Sequence, residues 1–182
     1  ESKTADVQAR RMSKTKESMV VRSANAGQGQ GILRVVTGTG KGKSSSGCGM
    51  VARALGHGMK VGVVQFIKGA FSTGEEACFR ELPNVDYHVM GEGYTWDTQD
   101  RERDVAAANA AWDIASAMLQ DDSYHMVLLD ELNIALRYEY LDLDRVLDDL
   151  QNRPAMQHAP VDCASPPHRA VSLPDPDDER NV

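Results

Sequence analysis

Apolar positions along this chain fall into short dense runs separated by longer stretches of helical character. The run at 60–67, KVGVVQFI, is nearly all apolar and β-branched, as a parallel strand buried on both faces must be. Residues 32–36 (ILRVV), 85–90 (VDYHVM) and 125–130 (HMVLLD) predict three more strands, with Arg34 an awkward charge in the first. Residues 44–55 predict a helix, although Gly47 and Gly49 each cost about 1 kcal/mol relative to Ala. Gly56 and Gly58 are natural terminators for it. A short helix is expected at 75–82 and a long Ala-rich one at 101–119. Residues 141–150 place Leu143, Val146, Leu147 and Leu150 on one helical face, and Pro154 stops that helix. Strands alternating with helices predict an α/β fold, a mostly parallel sheet flanked by helices. Ligands in such sheets bind beyond the carboxyl ends of the strands.

The pattern fails at both ends. Residues 1–30 hold a basic stretch and then a Gly/Gln/Asn linker, so the globular domain is expected at 31–153. Residues 154–182 contain six of the seven prolines and end in an acidic run. Their lack of periodicity and low apolar content predict a disordered tail. The net charge of −7 is uneven, because residues 1–22 carry +3 and the remainder −10. An acidic core argues against nucleic acid as its partner. The basic arm could bind an anion, cover a site or be a solvated terminus. No apolar run approaches the roughly 20 residues that span a bilayer, and the polar start lacks the apolar centre of a secretory leader. Cys48, Cys78 and Cys163 are odd in number and widely spaced, which suits neither a disulfide framework nor a metal cluster. A cytoplasmic setting is expected.

The strongest chemical signal is Thr37-Gly38-Thr39-Gly40-Lys41-Gly42-Lys43-Ser44-Ser45, directly after the first strand. Backbone N–H groups in a Gly-rich turn point inward, and the following helix N-terminus adds partial positive charge, which together cradle a polyphosphate. Lys43 is placed to reach the outer phosphates and Ser44 to ligate magnesium. Thr37 stands where the first glycine of the usual phosphate loop would be, and Lys41 is an extra cation. The second signal is Asp130-Glu131, two carboxylates at the tip of an apolar strand, from which they can reach a magnesium ion held by Ser44. The alternative is an ordinary helix N-cap, since residues from Leu132 onward look helical. The third is the loop GEGYTWDTQ at 91–99, where Tyr94 and Trp96 are either a wedge for a flat ligand or ordinary core contacts.

Four segments, GTGKGKSS (38–45), ARALGHGMKVGVVQFIKG (52–69), GYTWDTQ (93–99) and MVLLDELNIALRYEYL (126–141), occur in an order and spacing that resemble cob(I)alamin (corrinoid) adenosyltransferases of the P-loop, RecA-like type. With the basic arm, the resemblance covers about 1–153. It implies that Co(I) of a reduced corrinoid attacks C5′ of ATP, displacing triphosphate and making adenosylcobalamin. It further implies that Gly38, Thr39, Gly40, Lys41, Gly42, Lys43, Ser44 and Ser45 hold ATP, that Ser44 and Glu131, with Asp130, serve Mg2+, and that Tyr94 and Trp96 meet the corrinoid. An electron-donating flavoprotein and a homodimer are also implied. A phenol at Tyr94, where the family commonly has Phe, is a departure. So is the region after Arg153, where relatives continue with an apolar strand, a Thr-Gly-Arg-Gly turn and further elements. Here a central strand and its helix are expected to be missing. The rival readings are a RecA-like ATPase and a nucleotide- or corrinoid-binding remnant without turnover.

Overall fold

The computed structural model describes residues 30–38, 41–66, 73–90 and 101–162. The regular elements among the described residues fall in the unit Gly31–Val182. In chain order they are β1 (Leu33–Val36), α1 (Lys43–Gly56), β2 (Val61–Gln65), α2 (Gly74–Arg80), β3 (Val85–Val89), α3 (Arg101–Gln120), β4 (Met126–Asp130), α4 (Leu132–Arg137), α5 (Leu143–Gln151) and β5 (Ala159–Asp162). Among the described residues the five strands form one parallel sheet in the order β1-β5-β4-β2-β3. The α/β class expected from the pattern is what the chain adopts, and the eight elements given bounds from it occur within a few residues of their expected ends.

Side-chain alternation sorts the sheet into two faces. Val61, Val63, Met126 and Leu128 point to one side, where they bury against Val51 and Ala54 of α1 and Phe79 of α2. Val64, Val127, Leu129, Ala159 and Val161 point to the other and pack with Trp112 and Leu119 of α3 and Val146 and Leu150 of α5. Trp112 is fully buried, lies 6.1 Å from the Phe66 ring and donates from Nε1 to Asp149 Oδ2 at 2.8 Å, tying α3 to α5. Gly47 sits where α1 crosses β4. A Cβ there would come within 3.0 Å of Leu128 Cδ1, so close helix–sheet approach explains a residue that helix propensity disfavours. Arg34 is no longer anomalous. It lies on β1, outermost in the described sheet, and is exposed on the α1 side.

Residues 154–162 overturn the expectation of a disordered tail starting at Pro154. They lead into β5, which lies between β1 and β4 and is buried throughout. The central strand expected to be missing is therefore present. Two polar side chains hold its approach. Gln157, 1% exposed, donates from Nε2 to the carbonyls of Met118, Asp121 and Tyr124 at 3.0–3.1 Å. Arg153 donates to the carbonyls of Leu150, Gln157 and Gly31. Pro160 hid the strand from sequence reasoning, because proline cannot donate to a ladder and argues against a central strand. The chain accommodates it at a cost in pairing. The bridges Met126↔His158 and Leu129↔Val161 share one register, yet Leu128, which faces Pro160 in that register, makes no bridge to β5.

Candidate nucleotide and metal site

The carboxyl ends of β1, β2, β4 and β5 meet the N-terminus of α1. Gly38 has φ 142° and Gly42 φ 102°, left-handed values that favour glycine and that turn the chain out of β1 and into the helix. Gly42 is the N-cap of α1 and supplies no side-chain cap, and the first turn holds no acidic residue. The electropositive end of this 14-residue helix therefore carries no capping side chain and suits an outside anion. Lys41 is exposed, Lys43 and Gly38 are half-buried, and Ser44 and Ser45 open the helix with exposed side chains. Thr39 and Gly40 of the same run lie outside the described residues, as do Tyr94 and Trp96.

Register makes a polar row at one level of the sheet. Gln65 of β2 pairs with Asp130 of β4, Val36 of β1 pairs with Asp162 of β5, and Leu129 pairs with Val161, so Asp130 and Asp162 are neighbours one position further on. Gln65, Asp130, Val36 and Asp162 lie on the α1 face, opposite Leu129 and Val161. Asp130 is 7% exposed and accepts from Gln65 Nε2 through Oδ2 at 3.0 Å, while its Oδ1 has no hydrogen-bond partner. Burial, and then the charge of Asp162, push its carboxyl up to about 6; Gln65 and the Ser44 hydroxyl act the other way. The Ser44 hydroxyl at the head of α1 and the Asp130 carboxyl at the end of β4 are brought together although more than eighty residues apart in sequence.

Glu131 follows with φ 60°, a left-handed conformation that is uncommon for a residue with a Cβ. It occupies the N-cap position of α4, but its side chain makes no capping hydrogen bond. The ordinary capping alternative therefore lacks the contact that would define it. Burial first, then the charges of Asp130 and Asp162, raise its carboxyl to about 7. Nearby Cys48 of α1 has its thiol raised to about 11 by burial and the charge of Asp130, so it is a neutral side chain rather than a thiolate. Burial also holds the Tyr87 phenol well above its ordinary range.

Among the described residues no group of three or more His, Cys, Asp or Glu side chains is arranged to hold a metal ion by itself. Magnesium is commonly held by one or two carboxylates with phosphate oxygens and water making up its octahedron. A hydroxyl at Ser44, a buried carboxylate with a partnerless oxygen at Asp130, and Glu131 beside it fit that pattern. Sequence reasoning missed two members of the site. Gln65 was part of a recognised segment but had no assigned role. Asp162 was lost with the supposed tail, although an apolar run ending in Asp was the same signal that had marked Asp130.

Fold and site together define an α/β protein of the P-loop type. Residues 29–171 match the ATP:corrinoid adenosyltransferase BtuR/CobO/CobP family. The chain belongs to that family, and so is a transferase. It is 61% identical over 152 residues to the corrinoid adenosyltransferase of Pseudomonas aeruginosa, covering 83% of this chain and 75% of that one. It is 47% identical over 147 residues to the corrinoid adenosyltransferase of Escherichia coli K12, with 81% and 74% covered. It is 45% identical over 147 residues to the corrinoid adenosyltransferase CobA of Salmonella typhimurium, with the same coverage. The family match runs past Arg153, where the resemblance had been expected to stop, and takes in β5.

Proposed function

We propose that this chain transfers the 5′-deoxyadenosyl group of Mg2+-bound ATP to the Co(I) centre of a corrinoid. The observation that supports this most directly is the meeting of Ser44, at the head of a helix entered through Gly42, with the buried Asp130 at the tip of β4. In the reaction the Co(I) electron pair forms a bond to C5′ of the ribose. The C5′–O5′ bond breaks, and triphosphate leaves with its electron pair. No proton has to be removed from a nucleophile and no water has to be activated, so the protein's contribution is positioning and stabilisation of the leaving group.

The N–H groups at the start of α1, with Lys41 and Lys43, take up the charge that grows on the departing triphosphate. Thr39, Gly40 and Ser45 complete the cradle. A bound Mg2+ would supply Lewis-acid charge neutralisation to the phosphates, and Ser44, Asp130 and Glu131 would hold it. Gln65 fixes the Asp130 carboxylate through its amide, orienting the free oxygen. Tyr94 and Trp96 are assigned to the corrinoid, where they would displace the lower axial ligand and ease reduction to Co(I). A flavoprotein electron donor, a homodimeric assembly and a reducing cytoplasmic setting complete the proposal. The described Cys48 and Cys78 are free thiols, in keeping with such a setting.

The product tests the proposal. Anaerobic incubation with chemically reduced cob(I)alamin and MgATP should give a photolabile alkylcobalamin and an equal amount of triphosphate. ADP or phosphate as the nucleotide product would replace this reading with that of a RecA-like ATPase.

A further inference from the structure

Asp162 belongs to no part of the reading above. It ends β5, is 2% exposed, and lies next to Asp130 on the same face and at the same level of the sheet. Its Oδ1 has no hydrogen-bond partner, and neither has Oδ1 of Asp130. Two buried carboxylates side by side, each with an oxygen lacking a donor, are an expensive arrangement. A structural role would satisfy those oxygens from the protein, as Gln65 satisfies Asp130 Oδ2. Instead the Asp130 carboxyl stands within hydrogen-bonding reach of both the Ser44 hydroxyl, at the N-terminus of α1, and the Asp162 carboxyl. A divalent cation coordinated by both carboxylates would use the lone pairs left over and neutralise the like charges in one step.

We propose that Asp162 is a further protein ligand of the divalent cation, so that the metal is held from three elements: α1 through Ser44, β4 through Asp130 and β5 through Asp162. This rests on the reading of the site as one for cation-bound ATP, and it adds a function for β5 that the fold alone does not require. It also specifies the cost of the arrangement. An additional anionic ligand binds the cation more tightly, and holds it before any nucleotide arrives.

The test uses the full chain with Mn2+ as the cation, ATP present and corrinoid omitted, so that no turnover occurs. Free Mn2+ is followed by electron paramagnetic resonance. Asp162→Asn should weaken Mn2+ affinity by about tenfold or more, the range typical for groups that hold or support a metal. ATP binding in the presence of EDTA should stay within about twofold of wild type. Equal Mn2+ affinity in wild type and Asp162→Asn overturns the proposal while leaving the ATP reading intact. Failure of the wild type to bind Mn2+ with ATP at all overturns both. A second measurement needs no variant: without nucleotide, MgCl2 should raise the melting temperature of the wild type above that in NaCl of equal ionic strength. Identical melting in the two salts also overturns the proposal.

Discussion

Asp130→Asn separates the stability of this protein from its function, because the two should move in opposite directions. The carboxyl is buried against Asp162 and raised from 3.8 to about 6. A group whose folded pKa lies above its unfolded value favours the fold fully below the unfolded pKa, and that contribution is lost as pH rises through the folded one. For Asp130 the loss falls between about pH 4 and pH 6. At ~1.4 kcal/mol per pKa unit, keeping the side chain charged at pH 8 costs the metal-free fold roughly 3 kcal/mol. Asparagine removes the charge, keeps the shape, and can still accept from Gln65 through its amide oxygen. Allowing for imperfect satisfaction of the new NH2 group, Asp130→Asn should stabilise the metal-free chain by roughly 2 kcal/mol at pH 8. For a domain of this size that corresponds to roughly 4–8 °C in melting temperature. The gain should shrink towards pH 5, where the wild type takes up its proton. Adenosyl transfer at sub-saturating Mg2+ should meanwhile fall by about tenfold to a hundredfold, through lost cation affinity. Calorimetric melts in EDTA at pH 5 and pH 8, beside anaerobic rate measurements, decide the matter. A variant less stable than wild type at pH 8 in EDTA would refute the like-charge account. Unchanged turnover would refute the placement of Asp130 at the metal.

Three other perturbations probe separate parts of the structure. Gly42→Val forces a β-branched residue to φ 102° at the N-cap of α1; it should cost about 1–3 kcal/mol in urea denaturation and abolish measurable ATP binding by calorimetry. Trp112→Phe leaves Asp149 Oδ2 without its 2.8 Å donor and a gap between α3 and α5; a loss of about 1–3 kcal/mol is expected, and stability equal to wild type would show that α5 is held by other contacts. Cys48, with its thiol raised to about 11, should be alkylated by iodoacetamide at pH 8 well after the exposed Cys78. Peptide mapping by mass spectrometry reads the order directly, and faster labelling of Cys48 would contradict the burial that protonates it.

Much of this site was legible because its parts carry chemistry in their local sequence. A glycine-rich turn with lysines and serine at a strand–helix junction has few uses other than holding an anion, whatever surrounds it. The Asp-Glu pair was legible only conditionally: on its own it read as a helix cap, and only beside the glycine-rich turn as a metal ligand. It took the left-handed backbone at Glu131 and the absence of a capping hydrogen bond to weaken the first alternative. Gln65 shows another limit. Nothing in VVQFI says which strand its amide will face, and its partner is 65 positions away.

The pattern of apolar runs determined the α/β class, eight of the ten described elements and the position of the glycine-rich turn. Burial on both faces of a parallel sheet and on one face of a helix leaves periodic marks within a few residues. β5 left none that could be trusted, since four residues including a proline do not pattern like a central strand. Its place was decided by tertiary contacts: Gln157 and Arg153 hold its approach, while β1 and β4 supply the edges it joins. Strand order was likewise absent from the sequence, because which strands adjoin depends on how the helices cross the sheet. That order alone put Asp162 beside Asp130, two carboxylates 32 residues apart in the chain and neighbours in the fold.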